Sequence, residues 1–496
     1  MNKRLIIIIP ILLVLGFIIG KLSDTVMNQD IGYIPPLKVV GDVNNVVTLK
    51  SFDDIFRKVT IENKDNKIKA FKLQDIINKS SPLKESSELL LLGEDGLMAK
   101  IENKNLEKSY ITFSDENGWE AINFNHPISS NIKRIKEIVV VSNENSLDIG
   151  INIIKDSENI ANFTVGQLYS DKRTTLPYFE GKSTVDRDKG EYSTSIYTHK
   201  KIFTLEEVVN VQDVQNALIM GEESGYGYYD VNGYFEVKDN YINYIYGDGK
   251  KEIEKVKGIM LNPPSISITD SYHDALHFLK NDEKVLLIYL DGFGYHQYQY
   301  AIENNKTPIL KGIGNAVKAS SVYKPVTNAG FAAMITGKSP AENGVYSRKQ
   351  KDLKTESVFG ACIKLNKSTA LIEGNIKILN TEIEPILNID KNSNGTTDDE
   401  VFESALKAID EAHDLVLVHF HGIDDAGHAN GDLSEKTMER IENTDKYISK
   451  LISEWNGRVI ITSDHGMHST TEGGSHGEFR YEDIIVPYIL TKGGIE

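Results

Sequence analysis

Apolar and polar positions keep three different rhythms along this 496-residue chain. The first is an unbroken apolar run, Leu5 to Gly20, behind Lys3 and Arg4. A basic flank before an apolar segment is an export signal. The run is short for a spanning helix and long for the core of a signal peptide. It ends in Gly20-Lys21-Leu22-Ser23-Asp24, with no small-x-small cleavage site. Residues 1–24 therefore read as an uncleaved, single-pass membrane anchor that leaves the rest of the chain extracytoplasmic. A cleaved, secreted form is the alternative.

The second rhythm, over residues 30–265, is rich in β-branched and aromatic residues, which predicts strands. Phe71-Lys72-Leu73-Gln74-Asp75-Ile76-Ile77-Asn78 resembles Phe203-Thr204-Leu205-Glu206-Glu207-Val208-Val209-Asn210. Each is followed by an apolar run and a turn: Leu89 to Leu92 before Gly93-Glu94-Asp95-Gly96, and Ala217 to Met220 before Gly221-Glu222-Glu223-Ser224-Gly225. Each closes on an Ile/Val strand, Ile135 to Val141 and Ile253 to Met260. This predicts two related mostly-β modules, about 30–145 and 160–262. Tyr226, Tyr228, Tyr229, Tyr234, Tyr241, Tyr244 and Tyr246 read as cross-strand pairs of β-hairpins. An aromatic surface for glycan or cell-envelope polymer is the functional alternative. Asn262-Pro263-Pro264-Ser265 reads as a linker.

The third rhythm starts near residue 268. Short apolar runs at Val285 to Leu290, Leu415 to Val418 and Val459 to Ile461 suit strands buried on both faces. Between them lie helical patterns. Thr397-Asp398-Asp399-Glu400 has the form of a capping box before Phe402, Leu406 and Ile409. Met438, Ile441, Ile448, Leu451 and Trp455 mark another helix. Strands alternating with helices predict an α/β domain, residues 268–496, with a mostly parallel sheet flanked by helices. Residues 349–394 lack that rhythm and read as an inserted cap.

Composition narrows the chemistry. The net charge is −17, which opposes binding to a nucleic-acid duplex. A single cysteine, Cys362, excludes a disulfide scaffold and a Cys-based zinc ribbon. Six of the twelve histidines lie between positions 419 and 476, which points to metal chemistry. Charge is unevenly spread: residues 301–350 hold seven basic and two acidic side chains, residues 401–496 eight and eighteen.

The candidate residues sit just past expected strands, where α/β sheets bind ligands. Asp291 opens Asp291-Gly292-Phe293-Gly294. Asp424 and His428 lie in Gly422-Ile423-Asp424-Asp425-Ala426-Gly427-His428, at a spacing that lets one helical turn present both. Asp425 could replace Asp424. Asp464 and His465 lie in Thr462-Ser463-Asp464-His465-Gly466-Met467, and His476 in the glycine-rich Gly473-Gly474-Ser475-His476-Gly477. Three Asp and three His form the ligand set of a hydrolytic zinc or manganese pair. His419, His421 and His468 are read as supporting or surface groups. Thr327 follows an expected strand, Val322 to Val326, and precedes a helical run, Asn328 to Thr336. Its hydroxyl there is either a nucleophile activated by a metal or a helix cap.

These motifs, in this order, resemble the alkaline phosphatase superfamily from about residue 284 onward, in particular its nucleotide pyrophosphatase/phosphodiesterase branch. Thr327 lies nine residues before Thr336-Gly337, the spacing that branch shows. The stretch His419 to His428, with Gly474-Ser475-His476-Gly477 and Pro487, is also similar to membrane-bound ethanolamine phosphate transferases. The resemblance implies two divalent cations, zinc or else manganese. Asp424, His428 and His476 would hold one. Asp291, Asp464, His465 and the Thr327 oxygen would hold the other. Thr327 would attack phosphorus in line with the leaving oxygen, giving a phosphothreonine that is then hydrolysed. Two departures stand out. Asn328-Ala329-Gly330 replaces the branch's Phe-Pro-Asn. Arg348 stands where a phosphate-contacting Asn is expected, and an arginine suits a more anionic, monoester-like group. Asn328 and Arg348 are the substrate-contacting candidates. Cys362 lacks the Pro and Arg pattern of a sulfatase. The expected activity is that of an extracytoplasmic phosphodiesterase or nucleotide pyrophosphatase. A phosphotransferase moving a phosphoethanolamine-like head group onto a lipid or glycan is one alternative. A catalytically silent envelope-binding protein is another.

Overall fold

The computed structural model describes residues 34–494, apart from 53–55, 64–65, 86, 157, 172–173, 188–189, 223–224, 248 and 315. The expected anchor, residues 1–24, lies outside them. Among the described residues no helix is long and apolar enough to cross a membrane. The chain divides into two compact units after Asn143.

The first unit holds two sheets. One has five strands in the order Val47–Leu49, Leu37–Gly41, Ile135–Ser142, Ser87–Gly93, Met98–Glu102. Its one parallel pair is Leu37–Gly41 with Ile135–Ser142. Leu89 to Leu92 are all buried, because this strand is covered on both faces. The second sheet is an antiparallel meander of Lys58–Asn63, Asn66–Lys72, Ser109–Ser114 and Gly118–Asn123. Phe71, Leu73, Ile76 and Trp119 join the core between strands and the Leu73–Ser80 helix.

The second unit opens with a sheet of the same strand order: Glu158–Phe163, Ile151–Lys155, Val256–Leu261, Ala217–Gly221, Tyr226–Tyr228. Its one parallel pair, Ile151–Lys155 with Val256–Leu261, falls at the equivalent place. The two resembling segments share a position too. Phe71 is the last residue but one of its strand and Phe203 the last of its own, and Leu73 and Leu205 each open a helix. The tyrosines serve hairpin packing: Tyr234–Lys238 pairs with Tyr241–Tyr246. The buried Tyr244 ring lies 5.4 Å from Tyr246 and 4.8 Å from Phe235.

The rest of the second unit is a three-layer α/β fold. Its strands are β1 (Ile266–Ser267), β2 (Val285–Leu290), β3 (Val317–Ser320), β4 (Thr369–Glu373), β5 (Ile386–Leu387), β6 (Leu415–Phe420), β7 (Arg458–Thr462) and β8 (Ile485–Lys492). They order as β1-β3-β8-β7-β2-β6-β4-β5, and only β8 runs antiparallel to its neighbours. Strand alternation divides β2 between two cores. Val285, Leu287 and Tyr289 face one, and Leu286, Ile288 and Leu290 face the other. Helices cover both faces, among them α1 (Thr327–Thr336), α2 (Asp398–Asp410), α3 (Gly422–Asn430) and α4 (Glu435–Glu454).

Three expectations are corrected. Residues 349–394 are not simply a cap: they supply β4 and β5, which extend the sheet beyond β6. Thr369 to Glu373 is too short an apolar run to announce itself by periodicity. The strand expected at Val322 to Val326 lies earlier, at Val317–Ser320, and irregular backbone leads from it into α1. The Thr397 capping box does not form. Thr396 Oγ1 instead accepts from the Asp398 amide, and Glu400 accepts from the Lys391 amide.

Candidate active site

Strands β7, β2 and β6 are parallel neighbours, so their carboxyl ends deliver side chains to one place. Asp291 follows β2, His421 and Asp424 follow β6, and Asp464 and His465 follow β7. The 473–477 loop brings His476. Close backbone approach makes this convergence fit. Gly292 has φ +71°, and a Cβ there would lie 2.8 Å from Asp424 Oδ1. A Cβ on Gly330 of α1 would lie 2.5 Å from Asp464 Cβ.

Three groups of donors result: Asp291 with His419 and His421, and the two that follow. His428 Nε2 lies 3.4 Å from Asp424 Oδ2, and His476 Nε2 lies 3.6 Å from Asp424 Oδ1. His465 Nε2 lies 3.0 Å from Asp464 Oδ2 and 3.5 Å from Asp291 Oδ1. Within each group the ligand atoms lie within 4.8 Å of one another. The two groups adjoin: the His465 and His476 rings stack at 3.7 Å.

Each of the three imidazoles is oriented the same way. Nδ1 of His428, His465 and His476 faces the carbonyls of Gly474 (3.1 Å), Gly466 (2.9 Å) and Pro325 (2.9 Å). With Nδ1–H donating to a carbonyl, each Nε2 is left as a lone-pair donor turned into the site, which is how a ligating histidine is held. Asp291 Oδ1, Asp424 Oδ1, His428 Nε2 and Asp464 Oδ2 are buried and have no hydrogen-bond partner. Orphaned buried polar atoms are costly, and four of them pointing into one space fit a pair of divalent cations.

The charges agree. Burial, and then the charge of Asp291, push the Asp424 carboxyl up to about 8. Burial opposes ionisation of Asp291 too, but hydrogen bonds from His419 and His421 outweigh it and hold this carboxyl well below its usual range. Burial alone depresses the His465 imidazole, yet Asp464 and Asp291 push it up to about 10. Burial, and then His465, hold His476 down to about 2. Three buried carboxylates in mutual repulsion are relieved by cations.

Thr327 is the first residue of α1, and its Oγ1 lies 3.5 Å from His465 Nε2. Asn328 is buried, and its amide donates to the carbonyls of Gln350 (3.0 Å) and Ile378 (3.1 Å). Those donors are committed to the fold, which leaves the Asn328 main-chain N–H at the helix start. Arg348 is exposed, and its guanidinium abuts His476 Nε2. Asp291, Thr327, Arg348 and Asp424 line a cleft of about 510 Å³. The choice between adjacent carboxylates is resolved by direction: Asp424 faces His428 and His476, and Asp425 is exposed.

Sequence reasoning left His419 and His421 open between supporting and surface groups, and the structure makes both supporting groups. His419 Nε2 and His421 Nδ1 lie 3.3 Å and 3.0 Å from Asp291 Oδ2, and fix the carboxylate whose other oxygen faces the site. Glu373 backs His419 at 3.8 Å. Their signal was the run of histidines at a strand end, but their partner lies 128 and 130 positions away. His468 stands apart, paired with Asp483 at 2.7 Å.

Residues 283–491 match the family model of the metalloenzyme superfamily. This region belongs to the alkaline-phosphatase-like metalloenzymes. It is 30% identical over 115 residues to a 2,3-bisphosphoglycerate-independent phosphoglycerate mutase of Methanococcus vannielii, which is 23% of this chain and 27% of that protein. The chain thus spans about a quarter of the length of the curated relatives it matches. Among solved structures, phosphonoacetate hydrolase from Sinorhizobium meliloti, in complex with phosphonoformate, is 17% identical with a TM-score of 0.32. That match covers 37% of this chain and 57% of that one. Murine ectonucleotide pyrophosphatase/phosphodiesterase 5, in an inactive form with AMP, is 19% identical with a TM-score of 0.32, over 38% and 59%. The candidate cation donors all lie within the matched region.

Proposed function

We propose that this metalloenzyme is a two-cation phosphoesterase of the phosphodiesterase or nucleotide pyrophosphatase type, with Thr327 as nucleophile. The observation that carries the reading is the convergence of four orphaned buried donors beside the first turn of α1. Asp424, His428 and His476 would hold one cation, and Asp291, Asp464, His465 and Thr327 the other, with zinc the metal that suits this nitrogen-rich set. When bound, such a pair polarises the phosphoryl oxygens and makes hydroxyl nucleophiles available near neutral pH.

The chain's own residues supply position. The start of α1 turns main-chain N–H groups and its positive dipole end toward the phosphoryl oxygens. Thr327 Oγ1 forms the new bond to phosphorus while the bond to the leaving oxygen breaks on the opposite side. Water then cleaves the phosphothreonine. Arg348, released from His476, pairs with a phosphoryl oxygen. The basic-flanked apolar run at residues 1–24 supports placing this chemistry outside the cytoplasm on a membrane anchor, which membrane fractionation with protease protection tests.

The test is hydrolysis of bis(p-nitrophenyl) phosphate and p-nitrophenyl phosphate by the full chain, with and without chelator. The diester should be turned over and the chelator should abolish it. Thr327→Ala should lose on the order of 10³-fold or more in kcat while still binding zinc. Full activity in Thr327→Ala removes the covalent step, and indifference to chelator removes the cations.

A further inference from the structure

The loop before α2 carries an amide or carboxylate side chain at every second place, Asp390, Asn392 and Asn394, and then Gly395. Its side-chain oxygens fold the backbone back on itself. Asp390 Oδ1 and Oδ2 accept from the Asn394 and Gly395 main-chain amides at 3.1 Å and 2.9 Å. Asn392 Oδ1 accepts from the Asn394 main-chain amide and Asn394 Oδ1 from that of Thr396, both at 3.0 Å. Gly395 has φ +84°, and nothing lies within 4 Å of a Cβ there, so the turn and not packing requires glycine. An Asp-x-Asn-x-Asn-Gly series with a sharp turn at its sixth place is how a calcium loop spaces its oxygen ligands. The twelfth place, where such a loop carries glutamate, is the buried Val401, and Glu400 stands one place earlier.

Turns of this kind also form without an ion, and acidic residues at a helix start also serve its dipole. That accounts for Asp398, which accepts from the amides of His421 at 3.0 Å and Gly422 at 3.1 Å. It does not account for Glu400. This side chain is 5% exposed. Its Oε1 accepts from the Lys391 amide, in the second place of the loop, at 2.8 Å, and its Oε2 is buried with no partner among the described residues. The Glu400 carboxyl touches that of Asp399, whose buried Oδ1 is also without a partner. Asp399 Oδ2 faces the loop, accepting from the side-chain amides of Asn392 at 2.5 Å and Asn394 at 3.1 Å. Two touching carboxylates, each with a bare buried oxygen, repel one another unless a cation lies between them.

We infer that residues 390–400 bind one calcium ion through the side chains of Asp390, Asn392, Asn394, Asp399 and Glu400, with the Thr396 carbonyl as the main-chain ligand of the seventh place. The Asn oxygens that accept main-chain amides keep a second lone pair for the ion. An all-oxygen set with three carboxylates suits a large hard cation, whereas the imidazoles of the active site suit zinc. The ion fixes one wall of the active-site cleft, because Asp390, Gly395, Thr396 and Thr397 line it together with Asp291 and Thr327. Asp398 extends the constraint: it holds the His421 amide, and His421 Nδ1 lies 3.0 Å from Asp291 Oδ2. The inference is independent of the phosphoesterase reading, since it concerns a second kind of cation at a separate place.

The experiment titrates the full chain with calcium chloride in a calorimeter, after zinc loading so that the histidine-rich groups are filled. The wild type should take up one calcium ion per chain, melt a few degrees higher with calcium, and bind magnesium at least about ten-fold more weakly. Asn394→Ala, at an exposed position, and Asp399→Asn should each lose about ten-fold or more in calcium affinity, together with the thermal shift, while keeping their zinc. Glu403→Gln, an exposed acidic residue of α2 outside the loop, should bind calcium like the wild type. Hydrogen exchange of the 390–400 amides should slow on calcium addition in the wild type and not in Asn394→Ala. No calcium uptake by the wild type up to about 5 mM, well above the range of weak calcium modules, overturns the inference. Equal calcium binding by the folded loop variants, or magnesium binding as tight as calcium, overturns it too. A chain that retains no zinc yet binds calcium in this residue-dependent way keeps the calcium loop and removes the zinc centre.

Discussion

Gly258 lies in the Val256–Leu261 strand, outside the matched metalloenzyme region, yet the site depends on it. The Phe479 ring rests directly on this glycine: a Cβ would sit 1.9 Å from Phe479 Cδ1 and 2.0 Å from Cγ. Phe479 is three positions past His476 and is 2% exposed. It packs with Ile154, Leu218, Met220 and Met260 of the preceding sheet. Asn159 ties down the same segment, donating to Glu482 at 3.1 Å and accepting from the Tyr481 amide at 3.0 Å. In Gly258→Ala the ring must retreat by about 1.5 Å to reach ordinary contact. Overpacking of this kind costs about 1–3 kcal/mol, and the displaced loop carries His476 away from Asp424. The melting temperature should fall by a few degrees. Zinc affinity at the Asp424, His428 and His476 group should fall about 10–100-fold, as for lost supporting contacts in other metal sites. Calorimetric zinc titration and thermal unfolding measure both, with Gly312→Ala as control because nothing lies within 4 Å of a Cβ there. If Gly258→Ala binds zinc and melts like the wild type, the loop is not supported by the sheet and the reasoning fails.

Other outcomes follow from the same contacts. His421→Ala frees Asp291 Oδ2 of its 3.0 Å partner and should weaken zinc binding at the Asp291, Asp464 and His465 group about 10–100-fold in a calorimetric titration. The cation-free chain should hold its stability between about pH 4 and 6.5 and lose it above that range. Asp424, raised from 3.8 to about 8, and His465, raised from 6.5 to about 10, both withdraw stability as pH rises through 6.5–8. His476, lowered from 6.5 to about 2, withdraws it as pH falls below 6.5, which offsets what Asp424 returns down to 3.8. Zinc should abolish the alkaline loss, and thermal melts across pH 5–9 with and without zinc read this out. Asp424→Asn should raise the pH 8 melting temperature of the cation-free chain and remove most of its stabilisation by zinc.

Much of the sheet was legible because β2, β6 and β7 are unbroken apolar runs buried on both faces. Such runs identify themselves locally, and the candidate donors stand just past them. The β3 strand did not, because Val317 and Lys318 on this antiparallel-paired segment are not buried, while Val322 and Val326 are buried on irregular backbone. Strand β4 and the edge strand β5 were hidden by brevity. The grip of His419 and His421 on Asp291, and of the preceding sheet on the His476 loop, are contacts between distant positions. No local period encodes them, and Gly258 in particular looks like any strand glycine until Phe479 is seen against it.

The central claim is that two groups of donors hold two cations. Metal content of the purified full chain, dialysed after zinc loading and counted by inductively coupled plasma mass spectrometry, tests it most directly. The account predicts two zinc ions per chain in the wild type and one in His476→Ala. No retained zinc in the wild type, or two ions in His476→Ala, would contradict it.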